Sequence, residues 1–122
     1  MTEFLPHPAR EQLLELPIDH RPIEAEQHIE GQIPATTGFQ QVSILGEAEI
    51  GVWEMSPGSV QDIEADEYFV VLSGKGQLQI LEDNGFSAQV IELTTGIGLR
   101  LQSGMHTHWT VTETLRKIYF TL

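Results

Sequence analysis

The sequence predicts an all-β domain closed into a barrel or jelly-roll sandwich, and three observations carry that expectation. From residue 41 onward the chain is a series of short apolar runs, at 42–45, 50–55, 68–72, 77–81, 88–93, 99–101, 109–111 and 115–122. These lengths suit strands and fall short of helices. Turn formers stand between the runs: Gly46, Pro57-Gly58, Ser73-Gly74, Asp83-Asn84-Gly85, Gly96 and Ser103-Gly104. Eight strands at this spacing within 122 residues leave room for one domain, and antiparallel strands in that number usually close on themselves.

Taken in order, residues 1–40 differ in texture and are expected to form an arm packed onto a barrel spanning 41–122. Within the arm, 9–16 has the pattern of a short helix with Leu13, Leu14 and Leu16 on its apolar side, stopped by Pro17. Acidic, proline-containing sequence follows as far as Pro34. The run at 50–55 ends on a Pro-Gly turn, and an acidic segment with Asp62, Glu64 and Asp66 then leads into the strand at 68–72. Gly74-Lys75-Gly76 reads as a hairpin turn into 77–81, and the remaining runs alternate with glycine-bearing turns to the end of the chain.

Composition narrows the chemistry. With no cysteine there is no disulfide, thiolate metal site or thiol nucleophile. Eighteen acids against six bases give a net charge of −12, which repels nucleic acid and anionic lipid and favours solubility. The first residues lack the basic and apolar regions of a signal peptide and no stretch suits a membrane span, so a cytoplasmic protein is expected. No serine sits in a Gly-x-Ser-x-Gly elbow and no glycine loop precedes a helix as a phosphate site requires.

Four segments, in this order, resemble the cupins: GVWEMSPG at 51–58, EYFVVLSG at 67–74, TTGIGLRLQSG at 94–104 and HTHWTVTETLRKIYF at 106–120. More narrowly they resemble a small single-domain branch that includes ethanolamine-utilisation-type and ureidoglycine aminohydrolase-like proteins. The resemblance covers about residues 38–122 and implies a small double-stranded β-helix barrel, often dimeric. It also implies a first metal motif of two histidines and a glutamate followed by a glycine, and a second motif with one histidine. Glu67 and Gly74 keep the spacing of the first motif's end. Its histidine positions fall on Gln61 and Ile63, or on Val60 and Asp62, and the second motif's histidine position falls on Thr107. Three of the four implied ligands are therefore absent.

Glu67, at the head of an apolar strand, still needs a reason, because an ionised carboxylate is costly inside a protein unless paired, hydrogen-bonded or metal-bound. It could serve as general base or hydrogen-bond acceptor for a ligand, or be a structural group held by Arg100 or a backbone amide. His106 and His108 lie two apart on a strand. With a bulge they would turn inward and could join Glu67, with Gln61, around a divalent ion such as Mn, Fe, Ni or Zn. Strict alternation instead points Thr107 and Trp109 inward and leaves both histidines outside, and that reading is preferred. Trp53 and Trp109 are either packed core or aromatic walls of a pocket. The acids Asp62, Glu64 and Asp66 lack the pattern of a calcium loop and read as a solvated turn, while Arg116 and Lys117 read as surface partners for acids.

The expectation is a cupin barrel without the usual metal site and without a cofactor, binding a small polar molecule through Glu67, Gln61, Trp53, Thr107 and Trp109. Two alternatives stand beside it: a metal-dependent enzyme of aminohydrolase or isomerase type using Glu67, His106 and His108, and a non-catalytic assembly protein. A homodimer is expected in each case, because open sheet edges need covering and a forty-residue arm with few apolar positions suits clamping a neighbour.

Overall fold

A computed structural model describes residues 11–122. The strands, in chain order, are β1 (Arg21–Pro22), β2 (Thr36–Leu45), β3 (Ala48–Met55), β4 (Gly58–Ile63), β5 (Glu67–Ile80), β6 (Gln89–Leu93), β7 (Gly98–Leu101) and β8 (His106–Thr121). The two long strands, β5 and β8, run antiparallel along almost their whole length and are shared between two sheets. Residues 67–71 of β5 pair with 117–121 of β8, flanked by β7 on one side and by β3, β2 and β1 on the other. Residues 76–80 of β5 pair with 107–111 of β8, flanked by β6 and β4. The chain therefore forms the all-β barrel expected, and its eight strands equal the predicted number with different bounds: the runs at 68–72 and 77–81 are one strand, β5, those at 109–111 and 115–122 are one strand, β8, and β1 and β4 fall outside the predicted runs.

The reason β5 is one strand lies at Gly74. The stretch Gly74-Lys75-Gly76 is a bulge within β5 and not a hairpin turn, since pairing with β8 continues on both sides while the register shifts between Val71 and Gly76. Gly74 has φ of +94°, and a Cβ there would run into the carbonyl oxygen of Thr114 on β8. Glycine is what lets the two long strands bend together from one sheet into the other. The segment opening on Pro57-Gly58 forms β4, which its polar composition had concealed.

Strand alternation sorts the side chains. Phe69 and Val71 of β5, Trp109, Val111, Leu115 and Tyr119 of β8, Val60 of β4 and Met55 of β3 share the barrel interior with Leu78, Leu93 and Leu101. Phe69, Met55, Leu78, Leu93, Leu101 and Leu115 have no exposed surface.

The predicted helix at 9–16 lies partly outside the described residues; over the described part the chain makes a single turn, with Glu15 N–H donating to Gln12 O at 2.9 Å. The carbonyls of Leu13 and Leu16 accept from the Arg116 guanidinium at 2.6 and 2.7 Å, and Pro17, four residues after Leu13, has no N–H to continue a helix. Arg116 also donates through Nε and Nη2 to Glu54 at 2.9 and 2.7 Å, and His20 Nε2 lies 2.7 Å from the other oxygen of that carboxylate. Burial alone would raise Glu54, but the hydrogen bonds and charge of His20 and Arg116 outweigh it and hold the carboxyl below its ordinary range. Arg116 is thus a buried clasp between arm and barrel and not a surface partner. Farther on, Gln61 Nε2 donates to the carbonyls of Glu26 and His28 at 3.1 and 3.2 Å, and Pro34 bridges to Ser59. The described part of the arm lies along its own barrel. Among the described residues no helix is long and apolar enough to cross a membrane.

Candidate functional site

Odd-numbered residues of β3, of β5 before its bulge and of β8 face the barrel interior in cross-strand register: Trp53 opposite Lys117, Gly51 opposite Tyr119, Glu49 opposite Thr121, with Phe69 opposite Tyr119 and Glu67 opposite Thr121 on the other side. Gly51 makes room for Tyr119, whose hydroxyl occupies the place a Cβ would take. At the mouth of the barrel Glu49, Trp53, Glu67, Lys117, Tyr119 and Thr121, with Val60, Asp62 and Glu64 from and just beyond β4 and with Trp109, line a cavity of about 290 Å³.

Lys117 is the centre of this arrangement. It is 4% exposed, and its ammonium lies 4.6, 4.4 and 4.6 Å from the ring centroids of Trp53, Phe69 and Trp109. Nζ donates to Glu67 Oε2 at 2.6 Å. The rings themselves pack in tilted contact, Trp53 against Trp109 at 5.3 Å and Phe69 against Trp109 at 5.7 Å between centroids. A buried ammonium held by one carboxylate and three π-faces is compensated on every side. Glu67 therefore has its reason, and its partner is Lys117; Arg100, the other partner considered, pairs with Asp66 at 3.0 Å. Lys117, read from the sequence as a surface group, is an interior one.

The second interior carboxylate is Glu64, 9% exposed. Its backbone is pinned on both sides, N–H donating to Met105 O at 2.8 Å and C=O accepting from Gly104 N–H at 2.9 Å. Its Oε2 accepts from Thr107 Oγ1 at 2.6 Å and from Trp109 Nε1 at 3.1 Å. Burial raises this carboxyl; the hydrogen bond from Thr107 and the charge of Lys117 oppose the rise, and the charge of Asp62 adds to it. Glu64 does not belong to a solvated acidic turn. The three acids of that segment separate: Asp62 stands at the cavity rim, Glu64 points inside, and Asp66 accepts from Arg100 and from Ser103 N–H. Across the cavity, Tyr119 OH donates to Glu49 Oε2 at 2.6 Å, and burial together with that bond raises the phenol.

Of the residues singled out from the sequence, Glu67, Trp53 and Trp109 line this cavity. Thr107 is buried and reaches it through Glu64. Gln61 faces the other way and, with His106 and His108, lines a second hollow on the outside of β4 and β8. The Nδ1 of His106 lies 3.3 Å from Asp83. Thr107 and Trp109 are buried where the flanking histidines are only partly so, which is plain alternation without a bulge. Glu67, His106 and His108 therefore do not converge. The residues that face the cavity do not fit a metal either: among the described residues no three His, Asp or Glu side chains are grouped to hold one. The position beside Glu67 is held by a cation of the chain itself.

These features define a small β-barrel of the cupin type whose interior carries a lysine–glutamate pair. The chain belongs to the EutQ-like cupin domain family, whose model matches residues 42–119. Solved structures with the same fold include the Clostridium difficile EutQ protein, 19% identical, with a TM-score of 0.58 over 83% of this chain and 79% of that one. A putative ethanolamine utilization protein from Salmonella typhimurium LT2 is 11% identical, with a TM-score of 0.57 over 85% of this chain and 94% of that one. Ectoine synthase from P. lautus is 9% identical, with a TM-score of 0.58 over 82% of this chain and 67% of that one. No protein of curated function matches the chain.

Removing one member of a buried ion pair leaves the other uncompensated. Lys117→Met is expected to lower unfolding free energy by about 3 kcal/mol, and adding Glu67→Gln to recover most of that loss. Urea unfolding followed by tryptophan fluorescence measures both, and equal stability of the single and double variants would contradict the pairing.

Proposed function

We propose that this cupin barrel binds a small polar molecule at its mouth, without a metal ion. The observation that carries the reading is the cavity of about 290 Å³ walled by Trp53 and Trp109, in which Lys117 takes up the charge of Glu67. Aromatic walls with a few convergent polar groups are how small-molecule sites are commonly built. In this reading Glu67 orients Lys117, the tryptophans supply contact area, and Glu64, Asp62 and Glu49 offer acceptors. The separation of Glu67 from His106 and His108 speaks against the metal-dependent alternative. The test is thermal unfolding in EDTA against a panel of amino acids, ureido compounds and sugars. A true ligand at 100 times its dissociation constant adds about 2.7 kcal/mol, and Trp53→Ala should abolish the gain. A stabilisation that appears only with a divalent metal, or no hit at all, would defeat the proposal, the second result favouring a scaffold role.

We also propose a homodimer. Phe120 and Tyr68 sit opposite each other in register on the outer sheet face, next to Leu122, and all three are exposed. Light scattering should return twice the chain mass of 13.7 kDa, and Phe120→Lys should return the monomer; a wild-type monomer would contradict it.

A further inference from the structure

We propose that the ligand of the barrel mouth is a small organic cation, an alkylamine or short diamine whose ammonium is received by Glu64 and Asp62. The inference rests on the binding function proposed above and specifies its ligand class. It starts from charge: four carboxyl groups, those of Glu49, Asp62, Glu64 and Glu67, line the cavity against the single ammonium of Lys117.

Hydrogen-bonding capacity points the same way. The strongest donors around the cavity are already engaged: Lys117 with Glu67, Tyr119 with Glu49, and Thr107 and Trp109 with Glu64. Acceptors are in surplus. Both bonds to Glu64 fall on Oε2, and among the described residues none reaches its Oε1, although the side chain is 9% exposed and lines the cavity. A buried acceptor without a donor is costly, and a ligand that brings N–H groups supplies what is missing. An anionic ligand would face those four carboxyl groups, against which the cavity sets one ammonium, that of Lys117, already paired with Glu67. The walls suit the alkyl part of such a ligand, since Trp53 and Trp109 line the cavity with apolar ring surface between the polar groups. A divalent metal needs several oxygens converging at short range, and the described residues offer no such group. An ammonium is satisfied by fewer.

Three four-carbon probes of matched length separate the possibilities: 1,4-diaminobutane, 1,4-butanediol and succinate, titrated calorimetrically into the intact protein at low salt. The diamine is expected to bind about tenfold or more tightly than the diol, and succinate to give no binding. Glu64→Gln, which keeps an oxygen for Thr107 and Trp109, should weaken the diamine by about tenfold. Affinity should fall as pH is lowered, because burial raises both Glu64 and Asp62 and protonation removes the charge that receives the ammonium. Diamine binding unchanged in Glu64→Gln would mark attraction to the acidic surface and overturn the inference, as would equal binding of the diol or any binding of succinate. If a neutral or anionic compound binds and is lost in Trp53→Ala while the diamine does not bind, the ligand class is wrong and the binding function stands. If no compound of any class binds, both fall.

Discussion

One buried charge organises this barrel. An ammonium at the position of Lys117 would be prohibitively costly in an apolar interior, and the surroundings are arranged to offset it: Glu67 at 2.6 Å and three aromatic rings at 4.4 to 4.6 Å. The arrangement draws on three strands, since Trp53 comes from β3, Phe69 and Glu67 from β5, and Trp109 and Lys117 from the two halves of β8. It can form only if β5 and β8 bend together from one sheet into the other. That bend depends on Gly74, where a side chain would collide with the Thr114 carbonyl. A backbone detail thus positions the site's chemistry, and the site in turn ties the two sheets together.

The second charged cluster anchors the arm. Glu54 on β3 receives Arg116 and His20, and the same guanidinium takes the carbonyls of Leu13 and Leu16. Adjacent residues of β8, Arg116 and Lys117, therefore project to opposite faces of the sheet, one fastening the arm outside and the other fixing the pocket inside. Neighbouring side chains on a strand must part in this way. It explains how two consecutive cations can both be buried without repelling each other from a common site.

The fold class was legible in the sequence because most strands carry an apolar face and stop at glycine-bearing turns. Strand lengths were not, since Gly74-Lys75-Gly76 has the composition of a hairpin turn and only pairing with β8 makes it a bulge. β4 went unseen because GSVQDI places Val60 alone as an apolar residue on its inward side, between Gly58 and Asp62, and Ile63 on the other. Within the site, Glu67, Trp53 and Trp109 stood out from the sequence, while Glu64 and Lys117 did not. Both carry a signal in the alternation: Lys117 falls in step with Leu115 and Tyr119, and Glu64 in step with Val60. A charged residue at an inward position is easily discounted, because its compensation comes from residues distant in the chain. Glu64 is satisfied from Thr107 and Trp109, and Lys117 from Glu67; no local pattern records either pairing.

A barrel that pairs Glu67 with its own lysine leaves that carboxylate no role as a metal ligand. The most direct test is the metal content of the purified protein after incubation with manganese, iron, nickel and zinc salts and removal of unbound ion. Only trace metal, unaffected by Glu67→Gln, is the predicted result. One equivalent of tightly held metal per chain, lost in Glu67→Gln, would contradict it and restore the glutamate to the role of a ligand.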